Sequence, residues 1–284
     1  MNDGRSLIVP ILVLVLVAGC TSVPPSPGGI PSVTTTITVP PADPFAVLTR
    51  LASGVNGSLL EMDLALSLAA TDLGHTGISG PAADSKLAQM VASLPYATDA
   101  VTMTPEGRIV AAGPAKYSGV IGAEVGNESH NRKSLRERKP QLTEVFPAAE
   151  GFDAAAIQRP VTDGTGAYLG LAGLLFDPAA VIAGNADQIL TGTDLTAWAI
   201  DTGGRLIYDR EPGDLVGRNM LTDPAFAGYP ELVALTKRIA TEPSGTGTYT
   251  FTPAGGGPAV RKSAFWTTAG LHGTEWRIVV ARVV

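Results

Sequence analysis

The chain has 284 residues, of which 45% are apolar and 16% charged, and its formal net charge is −6. This composition is typical of a globular protein with one or two domains, and 20 Lys and Arg residues are too few to predict a nucleic-acid partner. The single cysteine excludes an intramolecular disulfide. The three histidines are far apart in sequence and show no metal-ligand spacing, so no metal or cofactor is expected.

An apolar run from Leu7 to Ala18 opens the chain. It is shorter than the roughly 20 residues that span a bilayer, but it suits the core of a signal peptide. Its end, Val17-Ala18-Gly19-Cys20, resembles the lipobox of prokaryotic lipoproteins, which implies a lipid on the Cys20 thiol. A signal anchor with an incidental cysteine is the alternative. We therefore predict a signal peptide over 1–19 and a lipid-anchored protein at the outer face of the cytoplasmic membrane.

Residues 20–44 contain the cysteine and then seven prolines among Ser, Thr and Gly residues. Such a segment cannot bury enough apolar surface to offset its ordering entropy, so it predicts an extended stalk.

Residues 45–95 are predicted to form two entry helices. The first shows apolar residues at three- and four-residue steps, with an interruption or strain expected near Gly54 and Gly57. The second is expected to begin at a cap formed by Asp84 and to run to about Ser93. The apolar positions of the first helix are Leu48, Leu51, Val55, Leu59, Met62 and Leu66.

An internal repeat follows. Residues 101–110 match residues 198–207 without a gap, and each copy reads as a strand, a turn with glycine (Gly107 or Gly204) and a return strand. Each copy is also predicted to end in an antiparallel hairpin, whose last strand is 169–176 in the first copy and 276–284 in the second. Because the spacing between these landmarks differs between the two copies, the pattern predicts a structural duplication and not a strict sequence repeat.

Further signals accompany the entry helix in residues 117–122, 159–164, 204–209, 216–219 and 275–280. Together these residues resemble the double Cache (dCache) extracellular sensor domains of chemoreceptors and sensor kinases over roughly 45–284. The resemblance implies an α+β fold: a long N-terminal helix with two tandem PAS-like (Cache) modules, each an antiparallel sheet flanked by helices. It further implies a membrane-distal module over 96–178, a connecting helix over 179–192 and a membrane-proximal module over 193–284.

In this family the distal module usually holds a small metabolite, often an amino acid. Amino-acid-binding members carry an Arg and an aromatic pair before the third strand, whereas residues 131–140 here contain no Trp or Tyr. Those members also carry an Asp near the end of the last distal strand, where this chain has Leu175, with Asp177 two residues later. Both departures argue against an α-amino-acid ligand.

The candidate ligand residues of the first module begin with Arg132 and Arg136, which share one face of a helix. If these guanidiniums face the pocket, they could bind a carboxylate bidentately, which predicts an anionic metabolite. A solvated helix face with Glu137 as counter-charge is the alternative. Gln158 is polar in an apolar strand and points to a pocket or to solvent. The hydroxyls of Tyr117 and Tyr168 are further candidates, with a core or rim position as the alternative.

The second module offers polar candidates of its own, although Asp223-Pro224 also reads as the start of a helix or turn. These candidates are Tyr208, Asp209, Arg218, Asn219, Asp223 and Lys262.

No Gly-x-Ser-x-Gly elbow, phosphate loop or dinucleotide fingerprint occurs, so we do not expect an enzyme. The first hypothesis is a ligand-binding sensor lipoprotein that passes ligand or conformational state to a partner such as a membrane receptor or transporter. The second is a structural or protein-interaction module of the cell envelope whose pockets are filled by side chains. A hydrolase of envelope material is a third, for which the sequence offers no nucleophile–base pair.

Overall fold

The structure is a computed structural model that describes residues 41–148, 152–211, 213, 215–252 and 257–284. The predicted signal peptide, Cys20 and nearly all of the predicted stalk lie outside these residues.

Five α-helices organise the described chain: α1 (Pro44–Thr76), α2 (Pro81–Ala92), α3 (Ser129–Glu137), α4 (Pro178–Leu190) and α5 (Pro230–Thr241). Helix α1 begins at Asp43, whose carboxylate accepts a hydrogen bond from the Phe45 amide at 3.0 Å, which satisfies one of the free amides of the first turn. The predicted periodicity is confirmed, because Leu51, Leu59 and Leu66 are fully buried on one face of this helix.

Two expectations for the entry helices are wrong. Helix α1 is continuous through Gly54 and Gly57; a Cβ at Gly54 would lie 2.4 Å from Asn185 Oδ1, so this glycine permits the close approach of α4. Helix α2 is capped by Gly80. Asp84 lies inside the helix, and its Oδ1 accepts a hydrogen bond from the Ala112 amide at 3.0 Å, which attaches the helix to the neighbouring sheet.

The first sheet has the antiparallel order β2-β1-β6-β5-β3, with β4 paired to β5. The second sheet has the order β8-β7-β11-β10-β9, so the two sheets share one topology over their first four strands. The strands are β1 (Ala97–Met103), β2 (Ile109–Gly113), β3 (Gln141–Leu142), β4 (Phe146–Pro147), β5 (Asp153–Thr162), β6 (Tyr168–Phe176), β7 (Thr196–Asp201), β8 (Leu206–Asp209), β9 (Gly245–Phe251), β10 (Val260–Leu271) and β11 (Thr274–Val283).

The predicted duplication is confirmed in its hydrogen bonds. Gly107 and Gly204 occupy equivalent turns at φ 88° and 87°, a region that favours glycine. After each hairpin the chain returns to the second strand: the Gly122 amide donates to the Ile109 carbonyl at 2.9 Å, and the Gly217 amide to the Leu206 carbonyl at 2.8 Å.

The main core lies between the entry helix and both sheets. It contains residues of α1, of α4 and of the sheet faces turned toward them, such as Ile157 in the first sheet and Ile278 in the second. A separate core lies between the other face of the second sheet and α5, around Trp198, Trp266 and Ile239. The opposite face of the first sheet is where the structure leaves space.

Candidate ligand-binding site

A cavity of about 500 Å³ lies on the face of the first sheet that points away from α1. The sheet supplies its floor because alternate side chains of a strand point to opposite faces: Gln158 of β5 points into the cavity, whereas Arg159 points to α1. The lining contains Asp99, Ala100, Val101, Met103, Ile109, Val120, Ala123, Val125, Glu128, Ser129, His130, Asn131, Phe146, Pro147, Ala148, Ala156, Gln158, Gly173 and Leu175.

Helix α3 closes the cavity with its N-terminal turn. Asn131 and Ser134 face the sheet, and both are buried. The Gln158 Nε2 donates to Asn131 Oδ1 at 2.6 Å, and the Ser134 hydroxyl donates to Gln158 Oε1. Gln158, 2% exposed, therefore holds the helix to the sheet at the edge of the cavity.

Two carboxylates line the cavity. Asp99 of β1 is 3% exposed, and Glu128 precedes the first turn of α3. Burial raises the pKa of Glu128 above its ordinary value. Its Oε2 accepts a hydrogen bond from Asn131 Nδ2 at 3.2 Å and lies 3.2 Å from His130 Nε2.

An aromatic surface completes the wall. The imidazole of His130 stacks on the ring of Phe146, with 3.8 Å between ring centres and 10° between planes. Burial lowers the pKa of His130, so the neutral ring is favoured at neutral pH.

The two arginines predicted to face the pocket do not. Asn131, Ser134 and Leu135 occupy the inner side of α3, so Arg132 and Arg136 lie on its outer side. The guanidinium of Arg132 donates to the Asn127 carbonyl, and Arg136, with a side chain 70% exposed, contacts Glu137 at 3.4 Å. The prediction of a guanidinium pair for an anionic ligand is therefore wrong.

The two tyrosines also lie outside this lining. Tyr117 is in a short 3₁₀ helix, Ala115–Val120, with the Lys116 ammonium 4.7 Å from its ring centre. The ring of Tyr168 is covered by the Arg138 guanidinium at 4.4 Å. Both are half-buried, and neither is among the cavity-lining residues.

The second module has a far smaller space at the corresponding face, about 30 Å³, which is room for about one water molecule. Lys262, 5% exposed, reaches into it and contacts Glu211, with Asp209 also in the lining. Burial raises the pKa of Asp209 to about 6.

The remaining second-module candidates lie elsewhere. Tyr208 points to the main core beside the entry helix. Arg218 is 3.5 Å from Asp223, and Asp223 caps the 3₁₀ helix Pro224–Phe226 by accepting from the Ala225 amide. The Asn219 side chain spans the repeat turn between the Gly203 carbonyl and the Leu221 amide. Only Asp209 and Lys262 of the predicted set therefore line this space.

Two further findings concern the described residues. Across them, no helix has both the length and the apolar character that crossing a membrane requires. Nor do His, Cys, Asp and Glu side chains gather there in groups of three that could hold a metal ion.

In sequence, residues 57–178 match the family model of the HK/GC/chemotaxis protein-like sensor domain. No curated protein matches the chain.

Solved structures share the fold over most of the chain. An extracellular ligand-binding receptor from Desulfohalobium retbaense is 25% identical with a TM-score of 0.70; the match covers 83% of this chain but only 39% of that one. The ligand-binding domain of the Pseudomonas aeruginosa chemoreceptor PctB, in complex with L-Gln, is 17% identical with a TM-score of 0.58, over 84% of this chain and 88% of that one.

A third similar structure is the ligand-binding domain of the Pseudomonas fluorescens chemoreceptor CtaA in complex with L-serine. It is 14% identical with a TM-score of 0.60, and the match covers 84% of this chain and 95% of that one. Residues 57–178 thus match a sensor-domain family model, and the chain shares its two-sheet fold with extracellular ligand-binding domains of the Cache type.

Proposed function

We propose that this chain is an extracytoplasmic, lipid-anchored sensor module that binds a small molecule in the cavity of its first sheet without converting it chemically. The observation that carries the proposal is the difference between the two modules. At corresponding faces of their sheets, the first module has about 500 Å³ of space, within the range of ligand sites, whereas the second has about 30 Å³.

The lining of the first cavity supports binding. Most of it is apolar, and a few polar groups converge on it from β1, β5 and the start of α3. Such a combination is typical of small-molecule sites, in which apolar surface supplies affinity and a few polar groups fix orientation. The similar chemoreceptor domains are named for complexes with amino acids, which supports a small organic ligand.

The position of the cavity supports a sensor role. Its floor strand β5 carries Gln158 on the cavity side and Arg159 on the α1 side. A ligand that binds two arrangements of β5 unequally would shift the population of arrangements at α1 as well. In this proposal the entry helix passes that change to a membrane partner such as a receptor or transporter.

Calorimetric titration of the purified protein with small amines, amino acids, organic acids and nucleobases tests the proposal. The informative variant is Gly173→Leu, because a Cβ at Gly173 makes only ordinary contacts at 3.8 Å and a longer side chain would enter the cavity. Gly164→Leu, at an exposed glycine with nothing within 4 Å of its Cβ, is the matched control.

We expect saturable binding to the wild type and to Gly164→Leu, and none to Gly173→Leu. Equal binding to all three proteins would place the ligand elsewhere. Absence of binding to the wild type would favour a protein-interaction module of the cell envelope.

The lipid anchor is a separate part of the proposal and rests on the lipobox-like ending at Cys20. Expression of the chain in a bacterium with radiolabelled palmitate tests it. We expect label in the wild type and none in Cys20→Ser, with the variant released from the membrane fraction. An unlabelled wild type would contradict lipidation.

A further inference from the structure

The outer side of α3 and the residues just after it concentrate positive charge. Five of the chain's 20 Lys and Arg residues lie within positions 132–139, in a protein whose formal net charge is −6. We call these exposed residues the α3 cation group: Arg132, Lys133, Arg136, Arg138 and Lys139. None of them lines the cavity of the first sheet, so this surface is separate from the proposed ligand site.

The α3 cation group has little counter-charge. Within the described part of the chain, Glu137 is the one carboxylate that forms an ion pair with it, at 3.4 Å from Arg136, and Glu137 also accepts a hydrogen bond from Gln141 Nε2. Arginines elsewhere, such as Arg159 and Arg205, contact carboxylates at 2.7 Å. Most charges of the group therefore remain available to an external anion.

Helix stability alone does not account for these positions. The helix dipole disfavours cations in the first turn of a helix, yet Arg132 is the fourth residue of α3. The helix ends at Arg138 with φ 51°, a left-handed conformation in which glycine is the usual residue. At both positions the chain carries a cation although the local backbone favours another residue.

The surface has no apolar anchor. Leu135 is half-buried, and the exposed residues of α3 are all polar or charged. Protein interfaces depend mainly on large side chains that fill pockets of the partner, and a helix that lies in a bilayer interface needs an apolar face. The pattern therefore favours a partner that is held by charge alone.

A flexible chain of phosphate groups fits such a surface. Guanidinium groups bind phosphate oxygens through two parallel hydrogen bonds. A polymer that contacts several cations at once also releases several condensed counterions, which gives an affinity that one small anion does not reach. Arg132 and Arg136 are about 6 Å apart along the helix axis, so groups of one chain can reach both. We propose that the α3 cation group binds a flexible polymer with repeated phosphate groups.

Fluorescence anisotropy of end-labelled sodium polyphosphate, titrated with the purified full chain, tests this proposal. We expect binding at about 50 mM salt and a loss of affinity of about 100-fold between about 50 and 200 mM, as five phosphate contacts predict. The triple variant Arg132→Gln/Lys133→Gln/Arg136→Gln should bind at least about tenfold more weakly at the lower salt. Its further loss between the two salts should be less than about tenfold.

The matched control is Arg50→Gln/Lys237→Gln/Arg261→Gln. It removes the same charge from exposed positions in α1, α5 and β10, and it should keep the affinity and the salt dependence of the wild type. If the α3 variant does not fold, Lys133→Gln/Lys139→Gln carries the test, because neither ammonium group contacts a partner among the described residues. This variant should show the salt dependence of about three contacts.

Four results would overturn the proposal. They are no polyphosphate binding at the lower salt, an equal loss of affinity in the control variant, equally tight binding of polyglutamate, and binding of phosphatidylglycerol vesicles through the α3 cation group without binding of polyphosphate. Gly173→Leu should bind polyphosphate like the wild type, whether or not the cavity takes a ligand. The failure of this proposal and the failure of the proposed function are therefore distinguishable.

Discussion

The guanidinium of Arg159 forms two hydrogen bonds with the carboxylate of Asp63, from Nε to Oδ1 at 2.8 Å and from Nη2 to Oδ2 at 2.7 Å. His272 Nε2 lies 3.0 Å from the same Oδ1. This cluster joins helix α1, strand β5 of the first sheet and the β10–β11 turn of the second sheet. Burial alone would raise the pKa of Asp63, but the bonds and charges of Arg159 and His272 outweigh it and lower that pKa.

Replacement of Asp63 should therefore be costly. Asp63 is 6% exposed, so Asp63→Ala leaves the Arg159 guanidinium partly buried without its partner. We expect the free energy of unfolding to fall by about 2–4 kcal/mol, measured by urea denaturation.

The control is Asp72→Ala. Asp72 pairs with Lys86 at 2.6 Å, but its side chain is 51% exposed, so the loss should be below about 1 kcal/mol. Equal losses for the two variants would show that the buried cluster contributes no more than a surface ion pair.

Two glycines of the same helix should respond to alanine with opposite signs. Gly57 is exposed with nothing within 4 Å of an added Cβ, whereas a Cβ at Gly74 would lie 2.2 Å from the Thr162 carbonyl oxygen. Gly57→Ala should stabilise by about 0.5–1 kcal/mol because the helical backbone loses less entropy. Gly74→Ala should destabilise by about 1–3 kcal/mol through overpacking. If the denaturation midpoints of both variants shifted in the same direction from the wild type, the close contact of α1 with β5 would be contradicted.

Much of the fold could be predicted from particular residues. The stripe from Leu48 to Leu66 has the helical period, and the paired turns at Gly107 and Gly204 revealed the duplication. Each signal is local, since a helix face or a tight turn depends on residues close in sequence.

The cavity lining could not be predicted in the same way. Helix α3 has no apolar stripe, so its sequence does not show that Asn131 and Ser134 face the sheet while Arg132 and Arg136 face solvent. Asp99 lies in a strand buried on both faces, where alternation gives no direction. The available signals were the acid inside this strand, Asp99, and the acid just before a helix, Glu128. Neither was predicted to line the cavity, and nor were His130 and Phe146.

The stability of the second module should depend on pH through Asp209. Burial raises its pKa from 3.8 to about 6, so between pH 4 and 6 the folded protein holds a proton that the unfolded chain releases. Stability from this group therefore falls as pH rises through that window. Asp209→Asn should be more stable than the wild type at pH 7, by about 1–3 kcal/mol, and no more stable at pH 4. Parallel stability–pH curves for the two proteins would contradict this.

The outward position of Arg132 and Arg136 gives a prediction about binding. The double variant Arg132→Ala/Arg136→Ala should bind a cavity ligand with unchanged affinity, because both side chains lie on the outer side of α3. A calorimetric titration with a compound that binds the wild type measures this. A loss of affinity of tenfold or more would mean that these guanidiniums turn inward when the ligand is bound.

A methyl-NMR titration of the protein with a compound that binds tests most directly whether the ligand occupies the first module. Methyl groups of Val101, Val125 and Leu175 report on the first cavity, and those of Leu206, Leu215 and Leu232 report on the second-module space. We expect saturating shifts at the first set and little change at the second. Shifts confined to the second set would contradict a first-module ligand site.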